Sequence, residues 1–326
     1  MADQRPLAAL TGGTGFLGRY VIAALQKAGW RVRLLVRRDP THPQLPGLEA
    51  EIVMGDLLSH PDILRRFSAD TDAVIHLAGA IKARDRAGFF RVNERGSGAL
   101  GAALAEAAPQ EARLIQVSSL AAREPHLSDY AASKRAGEVA FAEAAGRDVT
   151  VLRPGAVHGP WDTETLVLFQ LAQRPFMPVP ALPDGRLSFV YAADVARAIV
   201  AFVLAPKAFP GPFELSDNRP DGYGWRELSE AAARAMGRTP RLVSVPRAVW
   251  PVAGTVVESW ARLTGSTPMM SRGKVREMLH PDWSVSAARL PPATLWAPDI
   301  SLETGFARTV DWARGAGLLS ESRTVR

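Results

Sequence analysis

Thr11-Gly12-Gly13-Thr14-Gly15-Phe16-Leu17-Gly18 decides the fold. It follows the apolar run Leu7–Leu10 directly and opens a helical pattern that extends from Phe16 to Ala28. The glycines read as Gly-x-x-Gly-x-x-Gly or as Gly-x-Gly-x-x-Gly. In either frame they permit a tight turn and let backbone N–H groups approach a pyrophosphate, whose charge the helix amino terminus stabilises. A plain glycine turn is the alternative, and the placement between strand and helix weighs against it. Gly12, Thr14, Gly15, Phe16, Leu17 and Gly18 are therefore candidate cofactor contacts.

Outward from this loop, short apolar strands alternate with helical patterns. The strands are expected at Leu7–Leu10, Val32–Val36, Glu51–Met54, Ala73–Leu77, Leu114–Ser118 and Val149–Leu152. Helices are expected at Phe16–Ala28, Pro61–Phe67, Phe90–Ala107 and Asp129–Ala145. Such alternation builds a doubly wound parallel α/β sheet of Rossmann type, with chemistry at the carboxyl ends of the strands. After Pro154 the rhythm breaks into a Pro-rich stretch, Arg174–Pro183, and helices at Ala193–Leu204, Trp225–Met236 and Arg247–Leu263. The expected organisation is a dinucleotide-binding domain over 1–154 and a smaller, mostly helical substrate-binding region over 155–326, some of whose segments return to the sheet.

The second strand ends in Val36-Arg37-Arg38-Asp39-Pro40, without the carboxylate that usually holds the ribose 2′-hydroxyl of NAD. Arg37 and Arg38 could instead grip a 2′-phosphate through charge-assisted hydrogen bonds, which favours NADP(H). If Arg37 stacks on adenine and Arg38 stays solvated, NAD(H) remains usable. Asp56 and Leu57 follow the third strand at the place where adenine would lie, although Asp56 could equally be a turn carboxylate.

Tyr130 and Lys134 stand four apart in Tyr-Ala-Ala-Ser-Lys, at the start of a predicted helix, and so share one face. An ammonium beside a phenol lowers the phenol's pKa and makes it a usable proton donor near neutrality. Ser119 ends the preceding strand, where its hydroxyl could hold a substrate oxygen; Ser118 is the alternative. Tyr-x-x-x-Lys alone is common on solvated helices. The glycine loop and the strand-end serine, in this order, give it weight.

These pieces resemble the extended short-chain dehydrogenase/reductases, the group of dihydroflavonol reductases, 3β-hydroxysteroid dehydrogenases and sugar-nucleotide epimerases. The likeness spans nearly the whole chain. It is carried by Thr11–Gly18, Gly55-Asp56-Leu57, His76-Leu77-Ala78-Gly79, Val92-Asn93, Ser118-Ser119, Tyr130–Lys134, Arg153-Pro154-Gly155 and His158-Gly159-Pro160. Phe189–Val195 is similar to that group's later strand-to-helix element, and Trp283–Ala288 to a late Trp-x-x-Asp-type segment with serine in place of the acid.

The resemblance implies Ser119 as the substrate-polarising hydroxyl, Tyr130 as acid/base, and Lys134 as ribose contact and modulator of the tyrosine. It adds Leu77, Ala78, Gly79 and Asn93 to the cofactor contacts, and has Pro154 to Val157 closing over the nicotinamide. It also implies a homodimer. The strand-two ending is closer to the reductases than to the epimerases, and the short interval from Ser119 to Tyr130 weighs against a nucleotide sugar.

With 326 residues, 47% of them hydrophobic, the chain can bury a full core. Its formal charge of +6 is scattered, and no nucleic-acid module is present, so nucleic acid is not an expected partner. Without a single cysteine, thiol catalysis and thiolate metal sites are excluded, and six histidines without clustered carboxylates offer no metal spacing. No secretory signal precedes the first strand, which points to the cytoplasm. No run is long enough to span a membrane. His76 and His158 sit in motifs shaped by the backbone and receive no role.

The stretch Val245–Leu263 carries Trp250, Trp260 and several valines, with Arg247 and Arg262. It is either an ordinary core-facing helix or an apolar lid that covers a lipid-like substrate or rests at a bilayer interface. The resulting expectation is an oxidoreductase that reduces a ketone on a hydrophobic molecule, with 3-oxo-sphingoid or 3-oxo-ceramide lipids as the specific case. A sugar-nucleotide epimerase with bound NAD and a non-catalytic NADPH-binding accessory subunit are the alternatives.

Overall fold

A computed structural model describes residues 4–264 and 271–320, and of residues 256 and 258–264 the backbone only. Trp260 and Arg262 therefore lie outside the described side chains.

Strands and helices alternate from the amino terminus except between β2 and β3: β1 (Leu7–Thr11), α1 (Phe16–Lys27), β2 (Arg31–Val36), β3 (Glu51–Met54), α2 (Pro61–Ser68) and β4 (Ala73–His76) come first. Next, α3 (Arg86–Phe90) runs through one π turn at Arg91–Arg95 into α4 (Gly96–Ala107). Then follow β5 (Arg113–Val117), α5 (Asp129–Ala145) and β6 (Thr150–Pro154). Beyond them lie β7 (Ala156–His158), α6 (Leu166–Ala172), β8 (Phe176–Pro180), β9 (Phe189–Tyr191), α7 (Ala192–Leu204) and β10 (Gly211–Leu215).

Among the described residues a seven-stranded sheet forms in the order β3-β2-β1-β4-β5-β6-β10. The pairs from β3 to β6 are parallel. β1 and β4 are buried at every residue, as strands covered on both faces must be. Register sets the working edge. Thr11 lies opposite both Leu35 and His76, His76 opposite Gln116, and Val117 opposite Leu152. The segments after residues 11, 36, 76, 117 and 152 thus emerge level with one another, and the strand order reverses at β1, where such sheets bind ligands.

α5 starts where it does because Ser128 Oγ accepts from the Ala131 N–H at 2.9 Å, and it stops at Gly146, whose φ of +63° favours glycine. The π turn and α5 meet backbone to backbone: a Cβ on Gly137 would overlap the Asn93 carbonyl oxygen. Further along α5, Glu138 forms a two-pronged ion pair with Arg153 of β6, at 2.8 and 2.6 Å. Both side chains are buried, 7% and 5% exposed.

By contacts, the chain divides into two compact units. One holds 1–153, 195–214 and 291–296; the other holds 154–194, 215–290 and 297–326. In the second unit β7 pairs with β9, and β8 pairs with β11 (Arg241–Val245), both parallel. α8 (Trp225–Met236), α9 (Val249–Thr264), α10 (Arg272–Met278) and α11 (Leu302–Gly315) complete it, around a core that includes Phe169, Leu228 and Phe306. The Pro-rich stretch Arg174–Pro183 contains β8. Its prolines are tolerated because β8 pairs on one side only, with β11, so its other edge needs no N–H donors. β10, a sheet-edge strand beginning Gly-Pro, escaped the sequence for the same reason.

Removing one partner of a buried ion pair strands the other charge. Glu138→Gln should therefore cost about 3–5 kcal/mol in urea unfolding. Glu138→Gln with Arg153→Met should recover much of that loss. Equal losses in the single and double variants would contradict the pairing.

Candidate active site

Gly12 takes φ +73°, and a Cβ there would come within 2.7 Å of the Ala78 nitrogen, so the loop after β1 admits only glycine at this position. Gly15 N–H closes the turn onto the Gly12 carbonyl at 3.0 Å. Gly15 also caps α1 without any side chain occupying the first-turn amides. Thr14 and Gly15 are exposed, Phe16 and Leu17 half-buried, and Gly18 lies against the Gly12 carbonyl. An exposed helix amino terminus with uncapped amides is a donor set that fits the pyrophosphate of a dinucleotide. Arg19, which sequence reasoning passed over, holds the loop: its guanidinium donates to the Thr14 carbonyl at 2.6 Å and to Gln44 at 2.8 Å.

Beneath the loop runs a buried chain of hydrogen bonds whose direction follows from counting protons. Ala78 N–H donates to Thr11 Oγ1 at 3.2 Å, and Thr11 Oγ1 lies 2.8 Å from His76 Nδ1. His76 Nε2 lies 2.9 Å from Ser97 Oγ, and Ser97 donates to the Asn93 carbonyl at 2.5 Å. Ser97 has spent its proton on that carbonyl, so it accepts from Nε2–H, and Nδ1 then accepts from the threonine hydroxyl. The chain requires a neutral imidazole. Burial, with Lys134 nearby, lowers the His76 pKa to about 3.

Asn93, in the π turn, is the junction. Its Oδ1 accepts from Ala80 N–H at 2.7 Å, and its Nδ2 donates to the Ala80 carbonyl at 3.0 Å and to Ser133 Oγ at 2.8 Å. Ser133 passes its own proton to the Tyr130 carbonyl at 2.8 Å. The loop after β4 is thereby tied to the first turn of α5.

Lys134 Nζ donates to the Val117 carbonyl at 3.0 Å, and a Cβ on Gly79 would lie 3.4 Å from it. Burial lowers the lysine pKa to about 8, opposed by the charge of Glu138 one turn on. The Tyr130 ring is half-buried and meets Phe89 edge-on, with centroids 6.1 Å apart. Ser119 Oγ accepts from Ala121 N–H at 3.2 Å and so keeps its own proton to give. Ser118 is buried, and its hydroxyl finds no partner among the described residues.

The structure gathers Ser119, Tyr130 and Lys134 with Leu77, Ala78, Gly79 and Asn93 in one unit, at the edge that carries the glycine loop. Arg37 and Arg38 are exposed directly after β2, level with that loop. Asp56 accepts from Leu58 N–H at 2.8 Å as a turn carboxylate, while Leu57 is buried in the core, close against Gly96. Pro154 ends β6 and Val157 lies in β7, both in the second unit. His158 is buried there among Phe189, Tyr191 and Phe306, held neutral by a pKa lowered to about 3. Among the described residues no group of three or more acidic or histidine side chains could hold a metal.

Residues 8–214 match the profile of the NAD dependent epimerase/dehydratase family. The chain belongs to this family. Among curated relatives, ceramide reductase of Caulobacter vibrioides is 47% identical over 321 residues, covering 98% of each chain. The 4-hydroxy-2-methyl-3-oxo-4-farnesyl-3,4-dihydroquinoline-1-oxide ketoreductase of Stigmatella aurantiaca is 30% identical over 234 residues, covering 65% of this chain and 68% of that one. UDP-glucose 4-epimerase of Thermus thermophilus, solved as a complex with NAD, shares the fold at TM-score 0.67 and 22% identity, over 95% of this chain and 99% of that one. As a member of the epimerase/dehydratase family, the protein has NAD(P) as its cofactor class, and the uncapped amides at α1 are where this chain would hold the pyrophosphate.

His76 titrates near 6.5 when unfolded but only at about 3 when folded. Unfolding therefore takes up a proton between those values, and stability falls as pH drops below 6.5, by about 1.4 kcal/mol per pH unit for each such histidine. His76→Gln should lose one proton's worth of that slope when unfolding free energies are compared at a series of pH values. An unchanged slope would show that His76 is not held neutral.

Proposed function

We propose that the protein is an NADP(H)-dependent reductase that converts a ketone on a long-chain lipid, of the 3-oxo-ceramide or 3-oxo-sphingoid type, to a secondary alcohol. The observation that carries this reading is 47% identity, across nearly the full length of both chains, to a ceramide reductase. The placement of Ser119, Tyr130 and Lys134 supports it.

The bound cofactor supplies a hydride to the carbonyl carbon, so the protein's task is to hold the carbonyl oxygen and protonate it. Ser119, whose oxygen already accepts from Ala121, has its O–H left to donate to that oxygen. Tyr130 gives up the phenolic proton. Lys134, a buried cation below pH about 8, lowers the cost of the phenolate left behind. The carbonyl of Val117 and the Asn93–Ser133 link fix lysine and tyrosine on the same helical turn. Arg37 and Arg38, exposed where an NAD-binding strand would end in a carboxylate, favour the 2′-phosphate of NADP(H).

Coenzyme oxidation assays across 3-keto lipids, steroids and nucleotide sugars test this function. Turnover confined to keto lipids is expected; retained NAD with sugar turnover needing no added coenzyme would move the protein to epimerase chemistry. Tyr130→Phe should abolish reduction, about a hundredfold or more, while leaving NADPH affinity within a factor of about two. Wild-type turnover in that variant refutes the proton-donor role. Arg37→Ala with Arg38→Ala should weaken NADPH binding about tenfold or more and NADH binding little; equal weakening of both would sink the phosphate argument.

A further inference from the structure

We propose that the outward face of α9, with β11 and the edge of β8 beside it, docks on an anionic lipid bilayer. This inference rests on the lipid-reductase reading for its choice of partner. Val249, Val252 and Val257 fall within one stripe of α9 and are 49%, 64% and 39% exposed. Gly254 packs close against Val275 of α10, so among the described side chains of α9 these valines face solvent while Gly254 meets the protein. The adjoining two-stranded sheet continues the pattern. Its register sets Phe176 beside Arg241 and Pro178 beside Val243, and Phe176 and Val243 are exposed while Met177 and Val179 are buried. Trp250 Nε1 donates to the Val245 carbonyl at 3.4 Å, joining the start of α9 to the end of β11.

Charge selects the occupant. From Arg241 to Glu277 the sequence has six basic residues and two acidic, Glu258 and Glu277, so this segment carries a clear basic surplus in a chain of net charge +6. Arg241, Arg247, Arg272 and Arg276 are exposed; Arg247 also donates to the Leu279 carbonyl at 3.5 Å, and Lys274 pairs with Glu277 at 3.7 Å. A two-fold pairing of this face with a second copy would oppose one basic rim to another. Valines among arginines suit an interface of acyl chains beneath anionic headgroups, where the guanidinium groups reach the phosphates. A reductase whose substrate is dissolved in that bilayer gains access to it from such a surface. Among the described residues no helix is long and apolar enough to cross a membrane, so the contact proposed is peripheral.

Co-sedimentation of the full chain with vesicles, without cofactor or keto lipid, tests the proposal. The protein should pellet with phosphatidylglycerol-containing vesicles, bind phosphatidylcholine vesicles about tenfold less, and be released by salt. Val252→Glu with Val257→Glu should lower binding to anionic vesicles about tenfold or more. The double variant should unfold at the wild-type temperature and still turn over detergent-dispersed keto lipid. Failure of the wild type to pellet, equal binding to both vesicle types, or unimpaired binding by the variant would overturn the docking surface. So would a dimer-to-monomer shift in the variant without any vesicle binding by the wild type, which assigns the face to a second copy. Vesicle binding without keto-lipid reduction would sink the substrate reading alone; reduction in detergent without vesicle binding would sink the docking alone.

Discussion

A buried polar group must find a partner or cost stability, and around Asn93 that requirement organises the active site. The one-way chain from Ala78 N–H through Thr11, His76 and Ser97 ends on the Asn93 carbonyl, and the Asn93 side chain clamps Ala80 and Ser133. The glycine loop, the segment after β4 and the first turn of α5 thus share one network. A single wrong protonation state, a charged His76, would break it in the middle. Asn93 lies in the π turn and offers its carbonyl to Ser97 and its side chain to the neighbouring loop.

Electrostatics builds on that scaffold. Lys134 is a buried cation with a lowered pKa, and it remains charged near neutrality because Glu138 lies one turn along the same helix. Glu138 is in turn held by Arg153 of β6, so the Lys134 charge belongs to a series of alternating sign rather than to an isolated ion. Backbone contact at Gly137 keeps α5 close enough to the π turn for Ser133 to reach Asn93.

Much of this was legible in the sequence, where a residue type has one physical use. The glycine loop could only be a tight strand-to-helix turn, and the Leu7–Leu10 run that precedes it forms β1. The four-residue spacing of Tyr130 and Lys134 places both on one face of α5. Other features were hidden because their causes lie far apart in the chain. The sequence offers Asn93 only as a cofactor contact; its junction with Ala80 and Ser133 appears once the fold brings them to it, as does the hold of Arg19 on the Thr14 carbonyl. Leu57 looks like an adenine contact in a motif, yet the close approach of Gly96 draws it into the core. The Val245–Leu263 stretch allowed a core-facing helix, a substrate lid or an interface helix, and periodicity could not choose among them. Among its described side chains, Val249, Val252 and Val257 are exposed.

The proposed chemistry has Tyr130, supported by Lys134, protonate a carbonyl oxygen that Ser119 holds, while the dinucleotide reduces its carbon, on a lipid ketone. Supplying NADPH deuterated at the transferring position together with a 3-oxo-ceramide, and reading the product by mass spectrometry, tests it most directly. The account predicts an alcohol that carries a single deuterium on the former carbonyl carbon. Unreduced lipid, or reduced lipid without the label, would contradict it.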